Sequence, residues 1–204
     1  MTTALGGLTV VGAGTFGQTT VAFGTVINQL VPTKRGARTR LTMLQYRAAG
    51  TAHTITVFRS IGRTRTTADA AASQAVVVVA ANPGPSGNAL AASDFVAIRL
   101  NDGTFVVDTV SSISGLSVTL ATNLAAALSK GADVWMFGIT SDTDPNSGEA
   151  HQAFVGTASV ITTIKDDTAG LVASHGLDEP LLVQSNNATA TGFLEQVGYV
   201  HTRR

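Results

Sequence analysis

The 204-residue chain has no cysteine, one tryptophan and two tyrosines, and only 13% of it is charged. Without cysteine there is no disulfide framework, no thiol nucleophile and no cysteine zinc site. The low charge, set against 44% hydrophobic residues, excludes a disordered chain. No apolar run approaches the ~18 residues a membrane helix needs, so no membrane partner is expected. The opening Met1-Thr2-Thr3-Ala4-Leu5-Gly6-Gly7 lacks the basic start and long apolar stretch of a signal peptide. A chain of this length fits one sizeable domain or two small ones, burying roughly 70% of its unfolded surface.

Acidic residues are also missing, but only from the first third. Thirteen basic and thirteen acidic side chains sum to zero, yet no acid precedes Asp69. Lys34, Arg35, Arg38, Arg40, Arg47, Arg59, Arg63 and Arg65 give residues 1–68 a charge of +8. The remaining five basic and thirteen acidic residues give 5 − 13 = −8. Such an asymmetry implies either an acidic partner, a neighbouring copy included, or pairing between the two blocks within one chain. Ten of the thirteen cations are arginine, which suits fixed bidentate contacts.

What is present reads as β. Residues 1–37 hold no charge before Lys34 and are rich in Gly and Thr, without a 3.6-residue period; they predict an extended N-terminal arm with one or two strands. Strand-length apolar and β-branched runs follow at Arg40–Tyr46 and Thr54–Phe58. Thr64–Ser73 reads as a connection with one helical turn. Val76–Val79 is a continuous apolar run of the kind buried on both faces, and Asn82-Pro-Gly-Pro-Ser-Gly-Asn88 marks a module boundary. Phe95–Leu100 and Thr104–Val110 flank the tight turn Asn101-Asp102-Gly103 as a hairpin. Leu116–Leu120 alternates cleanly, Asn123 caps a short helix over Leu124–Lys130, and Val134–Phe137 closes the set. Ser159–Ile164, Pro180–Gln184 and Gly192–Val200 continue the strands. The expected fold is mainly β: an arm at 1–37, a β-sandwich-like body at 38–90 and 139–204, and a small β-barrel-like insert at 91–138.

Candidate chemistry is sparse. Gly12-Ala13-Gly14-Thr15-Phe16-Gly17 matches G-x-G-x-x-G after an apolar run. A dinucleotide site would also need a helix, an acid about 20 residues on and βαβ alternation, and all three are missing, so no cofactor is expected. Asp142-Thr-Asp144-Pro-Asn146-Ser-Gly148-Glu149 has the oxygen spacing that opens a calcium loop. Its glycine is one place late and Ala153 stands where the bidentate Glu belongs, so Asx turns explain it equally well and no metal is assigned. His53, His151, His175 and His201 are the residues to test for hydrolysis. No G-x-S-x-G elbow accompanies them, and no catalytic residue is assigned. Lys34, Arg35, Arg38, Arg40 and Arg47 form the candidate binding cluster. With only Tyr46 and Phe58 near, it lacks the stacking platforms of a nucleic-acid surface, and an acidic protein surface is the expected partner.

Three stretches carry a resemblance: the Gly/Thr-rich arm, the Phe95–Phe137 segment with Asp102-Gly103-Thr104 and Ser114-Gly115-Leu116, and Glu179-Pro-Leu-Leu-Val with Ala188-Thr-Ala-Thr-Gly192. Together they cover a little under half of the chain, as style rather than signature, and the arrangement resembles the capsid decoration, or cement, proteins of tailed bacteriophages. The resemblance implies a non-enzymatic virion protein made in the host cytoplasm and placed on the outer capsid surface. It implies homotrimers that bridge subunits of the major capsid protein through the arm. The alternative is a tail, baseplate or adhesin module that binds a host glycan through Trp135, Tyr199 and the 141–149 loop.

Overall fold

A computed structural model describes residues 4–5, 8–16, 28–29, 33–48, 53–60, 62–82, 90–137, 151–156, 161–165, 177–185 and 192–203. The fold is mainly β. Among the described residues there is no helix, and fifteen strands, every pairing antiparallel, make three sheets. The chain divides into two compact units, Met1–Arg59 with His151–Arg204, and Ser60–Ala150.

The first unit holds two sheets. One is ordered β1 (Ala4–Leu5), β2 (Leu8–Phe16), β15 (Gly192–Arg203), β4 (Arg38–Ala48) and β13 (Ile161–Lys165). The other is ordered β12 (His151–Gly156), β5 (His53–Phe58), β14 (Leu182–Ser185) and β3 (Asn28–Gln29). Leu41, Leu44, Val57, Leu182, Val183 and Val197 are buried on these strands. The sequence predicts an arm before residue 38, and each of its three strands pairs within this chain. β2 runs beside β15 from Phe16↔Val197 to Thr9↔Arg203. Gly12 and Gly14 of the dinucleotide-like motif therefore lie in a strand, opposite His201 and Tyr199, where a phosphate-cradling turn cannot form; Gly17 lies outside the described residues.

The second unit is one sheet, ordered β6 (Gly62–Arg65), β11 (Asp133–Phe137), β8 (Phe95–Arg99), β9 (Phe105–Ser114), β10 (Ser117–Leu120) and β7 (Val76–Val78). The β8–β9 hairpin turns at the predicted Asn101-Asp102-Gly103, where the Gly103 N–H donates to the Leu100 carbonyl at 3.0 Å. The sheet curls until its outermost strands meet. Thr66 bridges Val79, the Thr67 N–H donates to the Val78 carbonyl at 2.9 Å, and the Ala80 N–H donates to the Arg65 carbonyl at 2.8 Å. Val77, Val79, Val96, Ile98, Val110, Val118, Leu120, Val134 and Met136 fill the inside. This barrel-like sheet starts earlier than residue 91, because β6 and β7 supply both of its edges. Thr64–Ser73 accordingly contains strand and bridge residues rather than a helical turn.

Two further expectations are corrected. Val76–Val79 is not buried on both faces: Val76 is 45% exposed while Val77 and Val79 are buried, the alternation of an edge strand with one face inward. Leu124–Lys130 is not a helix. The Leu124 N–H donates to the Gln74 carbonyl and the Leu128 N–H to the Ala70 carbonyl, each at 2.8 Å, and the N–H groups of Ser73 and Ala70 return the bonds. A seven-residue helix is marginal in water, whereas burying each leucine contributes about 1.5–3 kcal/mol. These two backbone links, the second an isolated β-bridge, let both Leu124 and Leu128 join the core, so tertiary burial overrides the local cap.

Candidate basic docking site

Lys34-Arg35-Gly36-Ala37 forms a turn in which the Ala37 N–H donates to the Lys34 carbonyl at 3.1 Å. Gly36 is its third residue and has φ +67°, the left-handed geometry that a type II turn demands there and that favours glycine. Asp178 fixes the turn from both sides. Its carboxylate accepts the Gly36 N–H, and its own N–H donates to the Ala37 carbonyl at 2.9 Å. Asp178 itself sits at φ +62°, a conformation Asp tolerates better than most side chains.

β4 leaves this turn with strict alternation: Ala37, Thr39 and Leu41 are buried, while Arg38 and Arg40 are exposed. The buried side is keyed by Thr39 and His201, whose Oγ1 and Nδ1 lie 3.2 Å apart in a hydrogen bond, the donor being set by the imidazole tautomer. Tyr199 meets the His201 ring edge-on at 5.1 Å. Burial first, and the Lys34 charge second, hold His201 below its ordinary pKa, so the ring is neutral at pH 7. The sequence places His201 at a frayed end; the structure places it inside a strand because β15 runs on to Arg203.

Lys34, Arg35, Arg38 and Arg40 thus share one end of β4, on a turn with little freedom to move. Arg47 does not join them. Its backbone pairs with Ile161 and Phe193 at the other end of the strand, about 23 Å of strand from Arg40 at 3.3 Å per residue. Asp178 and Thr39 were not singled out from the sequence as parts of this site. The usable signal for Asp178 was an Asx residue two places before Pro180, a turn-former facing a Gly-containing turn.

The other candidates separate as well. His53 and His151 stand at opposite ends of the β5–β12 ladder, paired with Gly156 and Phe58, and His201 belongs to the other sheet. His175 and the calcium-like loop at 142–149 lie outside the described residues. Among the described residues no group of three His, Asp or Glu is placed to hold a metal. Trp135 is 1% exposed, beneath the Arg63 guanidinium at 5.0 Å and against Phe105 at 5.4 Å. It offers no open face for a sugar ring.

No protein-family model matches the chain, and no curated protein matches it. A weak structural likeness is to a chain from the structure of infectious bursal disease virus, Gt strain. It is 12% identical with a TM-score of 0.14, and covers 96% of this chain but 40% of that one. A likeness at that level bears on neither fold nor function.

Proposed function

We propose that the chain is a non-enzymatic decoration protein of a tailed-phage head, docking on the outer surface of the major capsid protein and bridging its subunits as a homotrimer. The observation that carries this reading is the rigid basic end of β4. The Lys34–Ala37 turn, locked by Asp178, presents Arg35 beside the exposed pair Arg38 and Arg40. A preordered basic surface loses little side-chain entropy on meeting an acidic shell, and guanidinium groups match carboxylates bidentately. Many copies, each with a modest contact, then hold by multivalency.

The N-terminal segment has a more limited part than an arm laid free across a neighbour. β2 is bound to β15 along one edge, and β1 covers its other edge only at Leu8 and Thr9. From Val10 to Phe16 that second edge has no partner among the described residues, and a capsid strand can add there by β-augmentation.

Co-sedimentation with purified phage heads tests the proposal. The wild-type chain should pellet at a fixed ratio to the capsid protein, and R35E/R38E/R40E should lose about tenfold or more in affinity, falling further with salt. Undiminished binding of the triple variant, or no pelleting of the wild type, would overturn it. Deleting residues 1–37 is the poorer test, because it strips β2 from β15 and damages the body as well as the contact.

A further inference from the structure

The Ser60–Ala150 unit carries four basic and eight acidic side chains, a net charge of −4. Three of the four cations, Arg63, Arg65 and Arg99, nevertheless share one outer wall of its sheet. Asp133 on β11 pairs with Arg65 on β6, and Arg99 on β8 lies one step beyond the Val134↔Ile98 pair on the other side. Arg65 and Arg99 are therefore two strand spacings apart, about 10 Å. A single carboxylate oxygen serves the wall: Asp133 Oδ1 meets Arg63 Nη2 at 2.7 Å and Arg65 Nε at 3.3 Å. The Arg65 side chain is 68% exposed, and its terminal amino groups find no acceptor among the described residues. Arg99 lies over the Phe105 ring at 5.8 Å and has no carboxylate partner there either. Among the described residues three guanidinium groups face one acid on this wall, an excess of two positive charges.

The fitting partner is a local carboxylate rather than a polyanion. A nucleic acid would feel the −4 of the whole unit, and its affinity depends on many summed phosphate contacts. Trp135, buried beneath Arg63, also gives no stacking platform. A suitable carboxylate stands at the tip of the same hairpin. Asp102 is exposed, and its Oδ1 accepts the Thr104 N–H at 2.8 Å and the Thr104 hydroxyl at 2.6 Å. Its Oδ2 takes no hydrogen bond among the described residues. Those bonds hold the group ionised and fixed in place, with its pKa lowered chiefly by the Thr104 hydroxyl. One hairpin end thus bears both a cation, Arg99, and an exposed carboxylate, Asp102, neither of them in an ion pair among the described residues. A patch carrying both halves of a contact is what a two-fold, isologous interface requires.

We infer that two copies of the chain associate through this hairpin, Asp102 of each against Arg99 and Arg65 of the other. The contact makes pairs whether the units are single chains or trimers, and it does not rest on the shell reading, since the purified protein alone tests it. The experiment is sedimentation velocity of the full chain over a concentration series at low and high salt. At about 50 mM salt the protein should pair, and at about 500 mM the pairs should dissociate. R99D and D102K should each weaken pairing about tenfold or more, whereas the charge-swapped R99D/D102K should recover to within about threefold of wild type. D102N keeps the oxygen that accepts from Thr104, so its loss of pairing would mark a charge effect rather than a broken turn. Three results overturn the inference: wild-type pairing in both single variants, no recovery in the swap, or no pairing in the wild type. Binding of a single-stranded oligonucleotide by a wild type that does not pair would assign the wall to nucleic acid instead.

Discussion

Replacing Asp178 separates the two bonds that hold the basic turn. In D178A the half-buried Gly36 N–H loses its acceptor, a cost of about 1–3 kcal/mol. Alanine must also occupy φ +62°, which adds about 1–2 kcal/mol. D178G removes the second cost but not the first, offset in part by the extra chain entropy of glycine, about 0.5–1 kcal/mol. D178N retains an acceptor oxygen and tolerates the left-handed region, so it should stay within about 1 kcal/mol of wild type. The expected order of stability is wild type, then D178N, D178G and D178A, with D178A lower by about 2–5 kcal/mol. Urea unfolding followed by circular dichroism reads the series. With a slope near 2 kcal/mol per molar, D178A should unfold about 1–2.5 M earlier. Hydrogen exchange locates the effect: the Gly36 amide should lose protection in D178A and D178G but keep it in D178N. Equal losses in all three variants, or a protected Gly36 amide in D178A, would show that the carboxylate does not anchor the turn.

Three further substitutions test the packing. In G198A the new Cβ would stand 2.8 Å from Thr42 Oγ1 and 3.2 Å from Met43 Cβ; the stiff, β-branched threonine limits relief, so the thermal midpoint should fall with a cost of about 1–3 kcal/mol. L128A should cost about 2–5 kcal/mol by opening a cavity beside Leu124, Ala70 and the barrel interior, and a neutral result by denaturant melt would contradict the burial of Leu128 in that core. His201 makes the body sensitive to acid. Its folded pKa lies below the ordinary 6.5, so the unfolded chain takes up the proton first. Stability is full above about 6.5 and declines as the pH falls toward the folded value, then levels off. In H201Q that slope should vanish from pH-dependent melting curves.

The elements most legible in the sequence were those decided locally. Asn101-Asp102-Gly103 fixed its hairpin and the alternation of Leu116–Leu120 fixed β10, since a turn and a period of two need no knowledge of the partner strand. Both faces of the Val76–Val79 run are apolar, so which face turns outward was invisible until the curl of the sheet placed Val77 and Val79 inside and Val76 outside. β6 was missed because Gly62-Arg-Thr-Arg65 has no apolar face of its own. It becomes a strand through its ladder with Asp133–Met136, and the Arg63/Arg65 spacing shows a common face only once that strand is granted. The basic site was partly legible: the cluster at Lys34–Arg40 stands out in composition. Its anchor, Asp178, is separated from Gly36 by 142 residues, and its buried key, His201, by 162 from Thr39. Contacts of that span leave no periodic trace.

The charge pattern shows how such long-range pairing redistributes a sequence-level quantity. Cut at Asp69, the chain is +8 against −8, but the fold does not cut it there. β5 and β12 pair at Phe58↔His151, so the chain leaves one strand and returns on its neighbour at a single rung, with Ser60–Ala150 inserted between. Regrouped by unit, the outer segments hold nine basic and five acidic side chains, +4, and the insert holds four and eight, −4. Half of the asymmetry disappears for two reasons: Arg63 and Arg65 join the acidic unit, where Asp133 takes both, and residues 151–204, with three basic and five acidic side chains, join the basic one. The remaining +4 belongs to the outer segments as a whole, within which Lys34, Arg35, Arg38 and Arg40 cluster at one end of β4. The insert, acidic as a whole, keeps its cations on one wall and a fixed carboxylate at the neighbouring hairpin tip. A uniformly acidic insert would repel its own copies, whereas segregated charge lets it bind one through a defined patch. The two proposed contacts therefore draw on different residues, and R35E/R38E/R40E should leave self-pairing intact while R99D leaves docking on heads intact.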